Sequence, residues 1–441
     1  MSNSNRMETK KQILEMPFGL PPLSAAEAVL TAPVDCGPGL ADDTVGETPT
    51  DSALVLAAPV TEEEFCAYCS ALATPEYRLL WNREIENNRF VLFETGDTQL
   101  YLAYTPCNRR MTVVHDRSTN ARVPDNDLPF AGAELYQYSL EYSMDNSNGE
   151  KAMNCGMMYI LRFPDGSLFV IDGGHRNQSW WEPLEGVWQF LRGLSGGERV
   201  RVRAWFLTHA HGDHNYMVGR LMEQYHDWLD IDCFLFNYPA VAVNPRRYDT
   251  ESTSYFKAMA AKYCPAAGIV KLHSGAALWL FGCLFEVLYT QEDLPDDDGV
   301  YRVNDFNDTS AVLKVTAGKH TVLFPADICQ KAEARICAMY SAATLHCDFV
   351  QAAHHLINRL PDFYRAVSAT YVLAPQSAET VGISERHATN LGDAICATDA
   401  DHVLFAGHDT WKITFASDGH GLELTPLPHY DRMQSVSGGK T

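Results

Sequence analysis

The chain has 441 residues, 34 basic against 56 acidic side chains for a net charge of −22, 46% hydrophobic residues and 12 cysteines. That length suits two or three domains with a core that needs no disulfide support, and the negative balance disfavours broad clamping of long nucleic-acid backbones. The longest apolar stretch, residues 276–285, falls well short of the ~18–20 residues that a membrane span needs.

The N-terminal segment MSNSNRMETKKQILEMPFGL lacks an unbroken apolar run and a small-residue cleavage site, so a cytoplasmic location is expected. The cysteines are scattered through apolar runs as buried thiols of a reducing compartment would be, and Cys66 and Cys69 form a CxxC with no second half. A zinc ribbon needs four ligands, so these two read as thiols on one helix. Residues 17–60 are rich in Pro, Gly, Ala, Thr and acidic side chains, and residues 1–60 are expected to be a loosely packed arm or linker. From Thr61 the pattern changes to a capped helix, with Thr61 as N-cap and Glu62, Glu63 and Glu64 in its first turn. RFVLFETGDTQLYLAYT reads as a hairpin turning at residues 95–97, and a strand follows at Arg109–Val114. These elements predict a small α+β domain over residues 61–132.

Beyond Pro129 the rhythm becomes strand, hairpin, strand, helix. MMYILRF and SLFVID flank the turn Pro164-Asp165-Gly166, residues 182–194 have helical spacing, and VRVRAWFLT (200–208) is another strand. Met217, Val218, Leu221, Met222, Tyr225 and Leu229 then share one helical face. Hairpins are predicted at ALWLFGCLFEVLY and AVLKVTAGKHTVLFPAD, a helix at Gln330–Tyr340, a strand at CDFVQAA and a last strand pair near FAGHDTWKITFASDGHGLELTP. The second domain is expected over residues 133–430, with a tail over 431–441.

His209, His211, Asp213 and His214 stand at the junction of a strand and a helix. Histidines two apart off a strand end project to the same side, Gly212 allows a sharp turn, and Asp213 and His214 open the helix. Four metal-competent side chains thus converge in one loop. They divide into His209/His211 on one ion and Asp213/His214 on another, as for two ions about 3.5–4 Å apart, and zinc accepts both imidazole and carboxylate. Solvated loop histidines are the bland alternative, but packing gives no reason to crowd so many polar groups together.

On these residues the sequence resembles the metallo-β-lactamase superfamily, whose signature is HxHxDH, and in particular its ComEC-like hydrolase branch, over residues 135–428. The resemblance implies an α/β (α+β) fold: an αββα metallo-β-lactamase sandwich, here with a small N-terminal α+β domain. FVIDGGH is similar to the first family motif and implies that Asp172 orients the metal loop without binding metal. NDTSAVLKV (307–315) resembles the branch's NxxSxVL segment, and TVLFPADI resembles LLTGD, which implies that Asp327 bridges both metals. An N-cap role is the bland reading of Asp327. DFVQAAHHL resembles a strand ending in HHG and implies a final ligand at His354 or His355. Strand alternation sets His354 with Ala352 on one face and His355 with Ala353 on the other; His354 is favoured as the ligand, and His355 is left to a supporting or substrate contact. Many relatives place a histidine upstream of the bridging Asp, where this chain has Asn304, Asn307 and Asp308. Asn307 or Asp308 is the candidate substitute, directly or through water. Leu356 and Ala326 stand where the family has glycine. His387 and His408 lie where the family's C-terminal loops approach substrate, with an ordinary polar loop role as the alternative.

The resemblance implies two divalent ions, zinc first and manganese or iron otherwise, and a metal-bridging hydroxide that attacks phosphorus or a carbonyl. Asp327 would set the metal spacing and Asp213 would orient the hydroxide, while His355, His387 and His408 are candidates for the acid that protonates the leaving group. A small anionic ester, with a phosphodiester first, is the expected substrate; a lactone or thioester is the alternative within enzymes. The competing class is a metal-stabilised scaffold or sensor whose working part is the N-terminal domain. Homo-oligomerisation through an exposed sheet edge stays open.

Overall fold

The computed structural model describes residues 12–14, 16, 19–25, 28–33, 53–119, 121–126, 128–140, 143–145, 151–153, 157–174, 183–239, 247–295, 303, 305–383, 385–394, 402–407 and 409–428. The chain divides into two compact units, one of residues 1–34, 46–117 and 295–302 and one of residues 35–45, 118–294 and 303–441.

The first unit is a six-stranded antiparallel sheet in the order Ala28–Pro33, Ala53–Ala58, Arg110–Asp116, Thr98–Thr105, Asn88–Thr95, Arg78–Ile85. Helix α1 (Glu62–Leu72) starts where its sequence requires: Thr61 accepts from the Glu64 amide and Glu64 caps the Thr61 amide in return. Its Phe65 and Leu72 pack with Val55, Val91, Phe93, Leu100, Leu102 and Val113 into the unit's core. Two sequence expectations are corrected here. Ala53–Ala58 falls in the supposed arm, yet it is a buried interior strand paired on both sides; its run of small and branched apolar residues suits a sheet covered on both faces. The unit ends near residue 117 and regains residues 295–302, with Arg110 Nη1 donating to the Pro295 carbonyl at 2.7 Å. Cys66 and Cys69 are free thiols on α1, and burial pushes the Cys69 thiol up to about 12.

The second unit has two mixed sheets. The nine-stranded one runs in the order Gly268–Val270, Cys233–Phe236, Val200–Leu207, Leu168–Ile171, Tyr159–Arg162, Ala133–Gln137, Asp409–Phe415, Leu422–Pro428, with Leu229–Ile231 also beside Val200–Leu207. The seven-stranded one runs Ala277–Leu280, Cys283–Tyr289, Val312–Ala317, His320–Phe324, Phe349–Gln351, Tyr371–Ala374, Val403–Phe405. Aromatic pairs join the sheets face to face: Phe169 with Phe285 at 4.2 Å, Phe163 with Phe281 at 4.8 Å and Tyr159 with Phe324 at 5.0 Å between centroids.

Helices cover the outer faces. Phe190 of α2 (Pro183–Ser195) meets Tyr136 and Tyr138, and Phe256 of α4 (Arg247–Tyr263) meets Phe234. Helix α3 (Gly212–Tyr225) buries the face expected from Met217, Val218, Leu221 and Met222. On the other side Tyr340, just past α5 (Gln330–Met339), donates to the Leu288 carbonyl, and Tyr364 of the helix Pro361–Val367 accepts from the Ala353 amide. The layers are therefore α, β, β, α, the fold class that the sequence implied. No helix among the described residues is long and apolar enough to cross a membrane.

Tight turns hold the hairpins in register. Phe281 and Gly282, at φ 52° and 75°, join Leu280 to Cys283, the positive-φ pair that a two-residue hairpin demands. A Cβ on Gly282 would collide with the backbone of Phe130. Gly282→Ala should therefore destabilise the protein by about 2–4 kcal/mol, adding left-handed strain to overpacking. An unchanged melting temperature would contradict this.

Each sheet carries a run of parallel strands: Leu168–Ile171, Val200–Leu207, Cys233–Phe236 and Gly268–Val270 in one, and His320–Phe324 to Val403–Phe405 in the other. Asp172, Thr208, Asp327 and the His354–His355 pair follow the carboxyl ends of four of these strands. Open α/β sheets place their sites at such ends.

Candidate metal centre

The loop after Val200–Leu207 presents its side chains through ordinary extended backbone. His211 is the N-cap of α3 at φ −103° and ψ 147° and makes no side-chain cap bond. Gly212 opens the helix and is not among the left-handed glycines, so the turn does not use the freedom expected of it. Around the centre, the left-handed residues other than glycine include Asp172 (φ 56°), Ala326 (φ 52°), His354 (φ 46°), His355 (φ 47°) and Leu356 (φ 61°). Two of them, Ala326 and Leu356, occupy the positions that read as family glycines.

Asp172 is 1% exposed and anchors the loop. One of its oxygens accepts from the Thr208 amide at 2.9 Å and the other meets His214 Nδ1 at 2.7 Å, while the Thr208 hydroxyl bonds the same carboxylate at 2.8 Å. Asp172 belongs to neither of the donor groups described below. The Thr208 hydroxyl also lies 3.0 Å from His209 Nδ1. These contacts leave His209 and His214 with Nε2 turned inward.

Asp327 lies at the focus. Four imidazole Nε2 atoms surround its Oδ2: His214 at 3.2 Å, His355 at 3.5 Å, and His209 and His354 at 3.9 Å each. A carboxylate oxygen has two lone pairs, so this crowd exceeds what hydrogen bonding uses. Asp327 Oδ1 is buried with no hydrogen-bond partner. Two donor sets result, Asp213, His214, Asp327 and His355 in one and His209, His211 and Asp327 in the other, each with its donor atoms within 4.8 Å of one another. His209 Nε2 and His211 Nδ1 are 3.0 Å apart, and His355 Nε2 is 3.3 Å from Asp213 Oδ2. The residues present thus fit two cations that share one carboxylate.

Burial pulls the His209 ring well below its ordinary value, helped by His214 and His211. Burial acts the same way on His214 and His355, but the surrounding carboxylates together outweigh it and raise both, Asp327 with Asp172 and Asp213 at His214 and Asp327 with Asp213 at His355. Burial pushes the Asp327 and Asp213 carboxyls up, but the surrounding imidazoles, His214 and His355 foremost, together overcome it and hold both below the carboxylate range. The pocket therefore keeps its carboxylates ionised and His209 unprotonated, the states that bind metal, while the protons that the carboxylates favour on His214 and His355 would have to leave as a cation enters.

Two sequence expectations are corrected. His355, not His354, joins the Asp213/His214/Asp327 set, because strand pairing ends at Gln351 and the left-handed backbone that follows breaks the alternation on which the choice rested. Asp308 is not at the centre; its carboxylate accepts from the Ala332 amide and so caps the start of α5. Asn307 does reach the centre, with Nδ2 3.2 Å from His354 Nε2. Asn304 and His408 lie outside the described residues, as does the side chain of His387 on the helix Glu385–Ala394.

Sequence reasoning missed the supporting residues. Ser310 Oγ accepts from the Asp327 amide at 3.2 Å, Gln351 pins Ala326 by bonds to its amide and carbonyl at 2.7 and 3.0 Å, and the Asn358 amide contacts His354 Nδ1 at 2.8 Å. Ser310 and Gln351 lie inside segments already singled out; Asn358 carried no signal. Asn358 also lines an open cavity of about 550 Å³ with Gln330, Arg359, Thr389 and Asn390.

No family model and no curated protein matches the chain. Among solved structures it is similar to a HARLDQ-motif mutant of a metallo-β-lactamase from Cronobacter sakazakii, with 16% identity and a TM-score of 0.25 over 40% of this chain and 59% of that one. It is also similar to CmlA, a diiron β-hydroxylase from Streptomyces venezuelae, with 12% identity and a TM-score of 0.35 over 66% of this chain and 55% of that one. MEM-A1, a subclass B3 metallo-β-lactamase from a soil metagenome library, gives 14% identity and a TM-score of 0.28 over 53% and 81%. The chain spans 59% and 55% of the length of the first two, and at these TM-scores the likeness carries no argument about chemistry.

Proposed function

We propose that the protein is a dinuclear metal-dependent hydrolase of the metallo-β-lactamase fold that acts on a phosphodiester or a related small anionic ester. The observation that carries the reading is the convergence of four imidazoles on Asp327 Oδ2 with Asp213 beside them. Two divalent ions held there would bring the pKa of a water toward neutrality and stabilise the negative charge that develops on the reacting ester. The chain's own residues supply the rest. Asp327 keeps the two donor sets together, and Asp172 and Thr208 fix the His209 and His214 rings so that nothing must reorganise during reaction. His209, His214 and Asp327 are wholly buried, while the Asp213 and His354 side chains are 33% and 17% exposed. Substrate therefore reaches the centre on the Asp213 and His354 side. His355, a sequence candidate for the acid, is committed to the donor cluster in this reading.

The choice of ester rests on the Asp213-His214 pair and on the net charge of −22, which leaves metal ions rather than a basic surface to attract an anion. Assignment to the ComEC-like branch draws support from Asn307 and Ser310, the first and fourth residues of NDTSAVLKV, which contact His354 and Asp327. Metal-reconstituted protein should turn over bis(p-nitrophenyl) phosphate faster than p-nitrophenyl acetate, a thioester or a lactone. Activity confined to carboxylic esters, thioesters or lactones would overturn the phosphodiester assignment and leave the metal centre standing.

A further inference from the structure

The two halves of the centre are unequal. Asp213, His214, Asp327 and His355 give one half four donors, whereas His209, His211 and Asp327 give the other three. We infer that His354 Nε2 and Asn307 Oδ1 complete the three-donor half, so that the adjacent histidines serve one ion each. The inference rests on the dinuclear reading above and adds a ligand set to it.

Distance is the first argument. His354 Nε2 lies 3.9 Å from Asp327 Oδ2, the same separation that His209 Nε2 shows from within the three-donor set. A hydrogen-bonding conflict is the second. Amide nitrogens stand at both nitrogens of the His354 ring, Asn358 Nδ2 at 2.8 Å from Nδ1 and Asn307 Nδ2 at 3.2 Å from Nε2, yet a neutral imidazole accepts at one nitrogen only. Beside that conflict Asn307, 5% exposed, holds its Oδ1 buried with no hydrogen-bond partner. A cation relieves both faults. It takes the lone pairs of Nε2 and of the Asn307 oxygen, and Asn358 turns its own oxygen to the proton on Nδ1.

The backbone is the third argument. His354, His355 and Leu356 are all left-handed, an arrangement that L residues adopt in succession only where the surroundings impose it and that gathers at functional sites. Its effect is to bring both rings to one carboxylate oxygen, at 3.9 and 3.5 Å. Asn307 is positioned independently, its amide donating to Asp305 Oδ1 at 3.1 Å at the head of the short helix Phe306–Thr309.

The completed half would offer three imidazoles, a carboxylate oxygen and an amide oxygen before any water. Tetrahedral zinc uses four ligands; five donors with a hard amide oxygen suit a metal that accepts five or six, such as manganese or iron. The test is metal content by plasma mass spectrometry together with Co(II) absorption, on full-length wild type, His354→Ala, Asn307→Leu and His355→Ala, each checked by circular dichroism. Two ions per wild-type chain, about one in His354→Ala and an at least tenfold weaker second ion in Asn307→Leu are expected, in line with the ~10–100-fold effects of ligand-sphere changes. His355→Ala should lose the other ion. Retention of two tightly bound ions by His354→Ala would overturn the assignment while leaving the dinuclear reading intact; wild type that binds no metal would overturn both. Should His354→Ala not fold, the wild-type Co(II) spectrum decides: weak bands of a five- or six-coordinate ion support the assignment, and tetrahedral intensity at both ions overturns it.

Discussion

Asp327→Ala protein, purified without added metal or chelator, is expected to carry fewer than one divalent ion per chain against about two for wild type, with hydrolysis reduced at least ~10³-fold, or about 4 kcal/mol of transition-state stabilisation. The size of the effect follows from sharing. Both donor sets contain Asp327, so one substitution takes a carboxylate from each ion and removes the anion that keeps two cations close. The fold has less to lose. Asp327 bonds the scaffold through its amide to Ser310 Oγ, which alanine retains, and the imidazoles left behind can lose their protons at neutral pH. Plasma mass spectrometry beside a thermal melt separates the outcomes. A variant that melts normally and still holds two ions would mean that Asp327 is not the shared ligand, and the two ions would have to be held by the histidines and Asp213 alone.

What could be read from the sequence follows the periodicity of each segment. The hairpins at Tyr159–Ile171, Ala277–Tyr289 and Val312–Phe324 were readable because apolar runs flank Gly166, Gly282 and Gly318, each left-handed as its turn requires. The metal loop was readable because three histidines and an aspartate crowd one strand end. Ala53–Ala58 was hidden by the Pro- and Gly-rich composition around it, and its place in a sheet is fixed by Ala28–Pro33 and Arg110–Asp116, partners distant in sequence. Arg78–Ile85 was missed because it is an edge strand with much of its length exposed, which blurs alternation. Helix α4 did carry Phe256 and Ala260 at helical spacing, a signal left unused. Which donor set each of His354 and His355 stands beside was out of reach for a different reason: local pattern describes regular backbone, and three consecutive left-handed residues that are not glycine leave no local signature. Asn358 was out of reach because its role depends on where the His354 ring points.

The second large effect is expected at a residue that joins neither donor set. Asp172→Ala removes a buried carboxylate that receives the Thr208 amide and hydroxyl and faces His214 Nδ1. The Thr208 N–H and His214 Nδ1 then stand unpaired in the core, while the Thr208 hydroxyl keeps His209 Nδ1 as a neighbour, and two unpaired buried groups amount to about 2–5 kcal/mol. His214 also loses the partner that fixes its ring, so metal affinity should fall by roughly 10–100-fold. Asp172→Asn tests the same logic with the shape kept. Asparagine offers one acceptor where the native residue uses both oxygens, so its amide nitrogen must confront either the Thr208 N–H or the His214 ring. The asparagine variant should recover part of the stability but little of the metal affinity if its oxygen goes to Thr208, and the reverse if it goes to His214. Thermal melts and metal titrations on both variants distinguish these results, and wild-type affinity in Asp172→Ala would show that His214 is held in place without the carboxylate.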